Sequence, residues 1–145
     1  MKTIFITGAS RGIGFEMARQ SLSCGNRVIA SCRNPDDADE LNSLMDSYDQ
    51  LDLLEMDVCS NDSVNACLSH LYSKRQPIDL LFNNAGIIDW RNFHEISEDS
   101  FARIYQTNVV GAFLCLRASL PCLRLSGSPL VVNLSSRLGS IDLRG

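Results

Sequence analysis

The sequence predicts an α/β fold, a doubly wound parallel sheet with strands in the order 3-2-1-4-5. Three observations predict it. Strand-like and helix-like runs alternate from the first residues, as βαβ units require. A glycine-rich turn joins the first strand to the first helix. Right-handed crossovers then put strands 2 and 3 on one side of strand 1, and strands 4 and 5 on the other. In such a sheet a ligand binds over the carboxyl ends of the strands, at the switch between strands 1 and 4. With 145 residues, 1–145 is expected to form one domain around one core.

Taken in order, Thr3–Thr7 is the first strand, and a helix follows from about Ile13 with Met17, Ala18, Ser21 and Leu22 on one face and Gly25 at its end. Arg27–Ser31 is the second strand. Pro35-Asp36-Asp37 opens a helix that carries Leu41, Leu44, Met45 and Tyr48 at helical spacing. Leu51–Met56 is the third strand. Ser60 caps a helix whose inward face is Val64, Cys67, Leu68 and Leu71. Pro77 breaks the chain before a fourth strand, Ile78–Phe82, and a polar loop runs from Asn83 to Ser97. A long helical stretch from Glu98 to Leu125 follows, with room for two helices meeting near Thr107, and Pro121 should kink or loosen its last turns. Leu130–Leu134 is the fifth strand.

Composition excludes several classes. The net charge is −4, and no basic run exceeds Lys74-Arg75, so nucleic acid and anionic membrane surfaces are not expected partners. No stretch approaches the ~18 apolar residues that span a bilayer. The apolar start is too short for a signal peptide, and a cytoplasmic protein is the default expectation. The six cysteines (Cys24, Cys32, Cys59, Cys67, Cys115, Cys122) form no C-x-x-C pair, and His70 and His94 are the only histidines, so no metal site is expected. Most of the cysteines read as small buried apolar residues.

The chemistry begins at Thr7-Gly8-Ala9-Ser10-Arg11-Gly12-Ile13-Gly14. Gly8 lets the chain reverse with positive φ, Gly12 leaves space for a diphosphate to touch the backbone, and Gly14 permits close helix–strand packing. N–H groups at the start of the helix then point at the anion. A glycine triplet by itself also suits an ordinary tight turn; its place between a strand and a helix is what gives it weight.

Thr7–Gly14 resembles the cofactor signature of short-chain dehydrogenases/reductases, Rossmann-type enzymes. The family's other motifs follow in order: Asp57-Val58 after strand 3, Asn83-Asn84-Ala85-Gly86 after strand 4, Asn108 in the long helix, and Val131-Val132-Asn133-Leu134-Ser135-Ser136-Arg137-Leu138-Gly139. The resemblance implies hydride transfer between a nicotinamide dinucleotide and a small carbonyl or alcohol. It also implies roles: Asp57 accepts from the adenine amino group, Val58 packs on the ring, and Asn83 to Gly86, with Asn84, Ala85 and Gly86 foremost, line the adenosine and nicotinamide riboses. Asn108 is implied to hold a water in the proton relay. Ser136, with Ser135 as the alternative, is implied to orient the substrate oxygen. The Ser135–Ile141 stretch is similar to small C-factor-like carbonyl reductases.

NAD-preferring sites place an acidic residue at the end of strand 2. Here Cys32 holds that place and Arg33 follows it, while Arg11 sits in the glycine turn, so NADP is expected over NAD. The family's tyrosine, with a lysine four residues later, is not found: the tyrosines are Tyr48, Tyr72 and Tyr105, and the lysines are Lys2 and Lys74. Family spacing puts the pair beyond Gly145. The sheet is thus expected to be truncated after strand 5, with Val131, Val132 and Leu134 on an open edge and little or no turnover from this chain alone. The long helix, through Phe113, Leu116 and Leu120, is expected to be a sticky face and a place for homo-oligomer contact. The alternative function is a non-catalytic short isoform or pseudoenzyme that binds NADP(H) or a full-length partner. A nucleoside-binding domain of another class, such as a methyltransferase, fits less well because it lacks Asn-Asn-Ala-Gly.

Overall fold

The computed structural model describes residues 1–137. Five parallel strands form one sheet in the order β3-β2-β1-β4-β5, as the crossover rule predicts. In chain order the elements are β1 (Thr3–Thr7), α1 (Gly12–Ser23), β2 (Arg27–Cys32), a 3₁₀ turn (Pro35–Asp37) and α2 (Asp39–Met45). There follow β3 (Leu51–Glu55), α3 (Asn61–Ser73) and β4 (Leu80–Asn83). The chain continues through α4 (Glu98–Tyr105), a π-helical segment (Gln106–Gly111), α5 (Ala112–Leu123) and β5 (Leu130–Asn133).

The central strand is buried along its whole length, so its side chains feed two cores. Parallel register aligns Phe5 with Ile29 and Leu81, and these meet Val64, Leu68, Leu71, Cys115 and Cys122 from α3 and α5. Ile4 and Ile6 point the other way, with Val28, Ala30 and Phe82, onto Ala18, Leu22 and Leu41 of α1 and α2. Burial pushes the Cys67 thiol up to about 11 and the Cys115 thiol up to about 12, so both are neutral packing groups.

Several expectations change in detail. The helix expected from Pro35 is a 3₁₀ turn followed by a seven-residue helix, because Ala38 leaves helical geometry at ψ 59°. At its other end the helix stops at Met45, which is exposed, and Tyr48 lies beyond it but still packs on the core. The fourth strand starts at Leu80 because Pro77 offers no N–H and Ile78 donates to the carbonyl of Cys122 at 3.2 Å instead of to β1. The long helical stretch is two α-helices, α4 and α5, that meet around Thr107 as expected, with a π turn over Gln106–Gly111 as the joint. Pro121 falls in the last turn of α5, and the helix continues past it to Leu123. Leu116 packs on the core instead of facing outward; Phe113 and Leu120 are exposed as expected, joined by Phe101, Tyr105 and Val109. On β5, Val131 and Val132 are half-buried, and Leu130 and Leu134 are the exposed apolar groups.

Asp79 ties the amino ends of three strands. Its carboxylate accepts from the Ser126 hydroxyl at 2.6 Å and the Thr3 N–H at 2.7 Å, and its own carbonyl accepts from Leu130 N–H at 2.9 Å. Those hydrogen bonds, Ser126 first, hold its carboxyl below the usual carboxylate range. A depressed folded value means that the stabilisation is complete above the unfolded pKa of ~3.9 and is lost as pH falls through the folded value. Asp79→Asn should lower stability at pH 7 by about 1 kcal/mol, the partial exposure of the site reducing a larger charged-bond figure. It should also flatten the decline of the urea midpoint below pH 4; an unchanged acid limb would contradict this.

Candidate functional site

Every motif found in the sequence except Asn108, which lies in the π segment, follows the carboxyl end of a strand. Residues 7–14 follow β1, Arg33 follows β2, Asp57 and Val58 follow β3, Asn84–Gly86 follow β4, and Ser136 follows β5. β1 and β4 are neighbours at the point where the chain reverses its direction of winding, so the glycine turn and the Asn-Asn-Ala-Gly segment face one another there.

The two segments are joined by hydrogen bonds. Thr7 is buried, and its hydroxyl oxygen accepts from the N–H groups of Asn84 at 3.1 Å and Ala85 at 3.0 Å. The Asn84 amide returns the contact, donating to the carbonyls of Thr7 at 3.0 Å and Gly8 at 2.9 Å. Thr7 and Asn84 are thus spent largely on holding the walls together. The joint leaves no room for side chains: a Cβ on Gly8, at φ +64°, would lie 2.8 Å from the Cα of Ala85. A Cβ on Gly14 would lie 2.5 Å from Asn84 Nδ2 and 2.6 Å from the Gly8 carbonyl. Gly12 differs, with φ +60° and nothing within 4 Å of its Cβ position. The space beside it is open.

Helix α1 opens beside that space with no side-chain cap from Arg11 and no acidic residue in its first turn. Its free N–H groups and positive dipole end are therefore not neutralised by its own first turn or cap. Ser10 is half-buried, whereas Arg11, Gly12 and Ile13 are exposed. Arg33 is also exposed, and neither Arg11 nor Arg33 makes an ion pair among the described residues. Cys32, in the place an acid would hold, is buried, and desolvation raises its thiol pKa.

The Asp57 carboxylate accepts from the N–H of Cys59 at 2.9 Å, while its own N–H donates to the Ser63 hydroxyl at 2.9 Å. Val58 is buried against Gly111, where a Cβ would come within 3.0 Å of Val58 Cγ2. Asn108 lies in the π segment and grips Ile87 from both sides. Its Oδ1 accepts from Ile87 N–H and its Nδ2 donates to the Ile87 carbonyl, both at 2.8 Å. One donor and one acceptor position of that amide remain for other work. Ser135 and Ser136 are exposed, just past β5, and Leu138 and Gly139 of the same motif lie outside the described residues.

Sequence reasoning gave no site role to Cys59, Gln106, Thr107 or Gly111, all of which build this site. Only Gly111 carried a signal, as a glycine inside a helical run that marks a close approach.

The sheet, the glycine turn at its switch point and the wall from β4 define a doubly wound, Rossmann-type α/β protein. The chain belongs to the short chain dehydrogenase family, whose model matches residues 2–144. Among its relatives, an oxidoreductase of Botryotinia fuckeliana is 32% identical over 99% of this chain and 52% of its own length. An NADPH-dependent pterin aldehyde reductase of Arabidopsis thaliana is 32% identical over 95% of this chain and 57% of its own. The chain spans little more than half the length of these curated relatives. An NADPH-bound carbonyl reductase from chicken fatty liver superposes with a TM-score of 0.92 at 28% identity, covering 98% of this chain and 62% of that one. The carbonyl reductase Sniffer of D. melanogaster does so with a TM-score of 0.90 at 28% identity, covering 98% and 64%.

The last two glycines of the turn predict different costs. Gly14→Ala forces backbone and amide apart and should destabilise the protein by about 1–3 kcal/mol. Gly12→Ala meets only the left-handed backbone penalty, about 1 kcal/mol. Urea unfolding of both variants checks this order, and a Gly12 variant less stable than the Gly14 variant would refute it.

Proposed function

We propose that this chain binds NADP(H) and forms the cofactor-holding part of a short-chain oxidoreductase that interconverts carbonyls and alcohols. The observation that carries this reading is the uncapped, acid-free start of α1 beside the open space at Gly12. A diphosphate fits there, between Ser10 and the N–H groups of Gly12, Ile13 and Gly14. The choice of the phosphorylated dinucleotide rests on Arg11 and Arg33, exposed and without ion pairs among the described residues, and on the lack of a carboxylate at Cys32. It agrees with the NADPH named for the Arabidopsis and chicken proteins.

When bound, the nicotinamide supplies or accepts the hydride. Asp57 and Val58 receive the adenine, while Ala85 and Gly86 offer a narrow wall for the riboses and Asn84 braces it. Ser136 orients the substrate oxygen and Asn108 holds a relay water. No Tyr-x-x-x-Lys occurs within these 145 residues, so their part is to bind and aim and not to move the proton. A cytoplasmic setting and a small carbonyl or alcohol substrate belong to the same reading.

Fluorescence titration should show NADPH binding more tightly than NADH. Arg33→Ala should weaken NADPH at least about tenfold and leave NADH within about twofold, because only the 2′-phosphate uses the guanidinium. Equal losses for both coenzymes would sink the NADP assignment.

Self-association is proposed through the exposed apolar row Phe101, Tyr105, Val109, Phe113 and Leu120 on one long helical element. Sedimentation should give a dimer that Phe113→Glu converts to monomer; a monomeric parent protein would remove this contact.

A further inference from the structure

The contacts of Cys59 point to Gln106 in the π segment. Cys59 is gripped at three places. Its carbonyl accepts from Gln106 Nε2 at 3.2 Å, its sulfur lies 3.2 Å from Thr107 Oγ1, and its N–H donates to the Asp57 carboxylate at 2.9 Å. The direction of the sulfur contact follows from proton counting. The single Thr107 hydroxyl proton goes to the Arg103 carbonyl at 2.9 Å, so the Cys59 thiol is the donor to Thr107. Cys59 thus receives a bond from one side of the crevice and passes one on to the Asp57 carboxylate. The Asp57 backbone is pinned separately by Ser63, so Cys59 sets the carboxylate without also setting the main chain.

We propose that Gln106, assisted by Thr107, is a positioning residue for the coenzyme: it aims the Asp57 carboxylate by holding Cys59. The inference rests on the NADP(H) reading, in which Asp57 meets the adenine amino group. The π turn has a mechanical part in this. Its wider helical turn places consecutive residues toward different neighbours, Gln106 and Thr107 onto Cys59 and Asn108 onto Ile87. One segment therefore braces the adenine end and the Asn108–Ile87 grip together.

A double-mutant cycle read by NADPH titration tests the proposal. Gln106→Met keeps the length of the side chain and removes its N–H donors. Asp57→Ala should weaken NADPH about tenfold. Gln106→Met should weaken it about fivefold in the parent protein and less than about twofold in the Asp57→Ala background. Thr107→Val, which removes the acceptor for the Cys59 thiol, should follow the same pattern and serves if the Gln106 variant melts early. A purely structural role predicts the same loss in both backgrounds, and that result would overturn the proposal. So would an Asp57→Ala variant that binds as tightly as the parent. A folded parent protein that binds no NADPH would instead remove the NADP(H) reading itself.

Discussion

One hydroxyl oxygen joins the two strand ends on which the site is built. Thr7 Oγ1 accepts from two successive N–H groups of the segment after β4, and Asn84 closes the joint by donating to two successive carbonyls of the turn after β1. Four polar contacts across a part-buried seam satisfy groups that would otherwise stand unpaired at the edge of the core. They also bring the two backbones so close that neither Gly8 nor Gly14 has room for a methyl group. The shape of the glycine turn is therefore set from outside the turn. With the seam fixed, α1 must start where it does, and its uncapped N–H groups are aimed by packing instead of by the turn's own preferences.

A second brace crosses the other side of the crevice. The π segment between α4 and α5 touches the loop after β3 through Gln106, Thr107 and Gly111, and the loop after β4 through Asn108. An α-helical path would carry consecutive side chains 100° apart around a regular cylinder; the extra residue per turn changes which faces residues 106–111 present. That irregularity is local, and α5 resumes at once and buries Leu114, Cys115, Cys122 and Leu123 against the sheet. The core pins the downstream end through α5, while α4 buries no residue and residues 106–108 are held by their polar contacts to Cys59 and Ile87.

The division between what was legible in the sequence and what was not follows from this arrangement. Strand order, the buried strands and the inward faces of α1 and α3 rest on periodicity, glycine placement and handedness, all local or topological, and they came out as predicted. The positions over the strand ends were legible for the same reason, since topology carries the motifs there. Contacts between distant segments were not. Nothing in Asn108 announces that it grips Ile87, and nothing in Gln106 announces Cys59. Periodicity also misjudged Leu116, because the π turn shifts the phase between α4 and α5, and Met45, which ends α2 exposed.

The end of β2 shows how a site can be specified by what is missing. Cys32 is buried and its thiol is held neutral by desolvation, so it offers neither charge nor the two strong acceptors by which a carboxylate would bind both hydroxyls of a ribose. Its register partner Glu55 lies one strand further out and is exposed, where solvent screens it. On the proposed reading, the potential over this corner is then set by Arg33 and, across the turn, by Arg11. Neither has to be pulled from an ion pair with a described residue before meeting an anion. A phosphate gains both forks with little to displace, whereas a bare ribose hydroxyl finds no strong acceptor. Discrimination of this kind needs no shape change in the backbone, only the exchange of one carboxylate for one thiol.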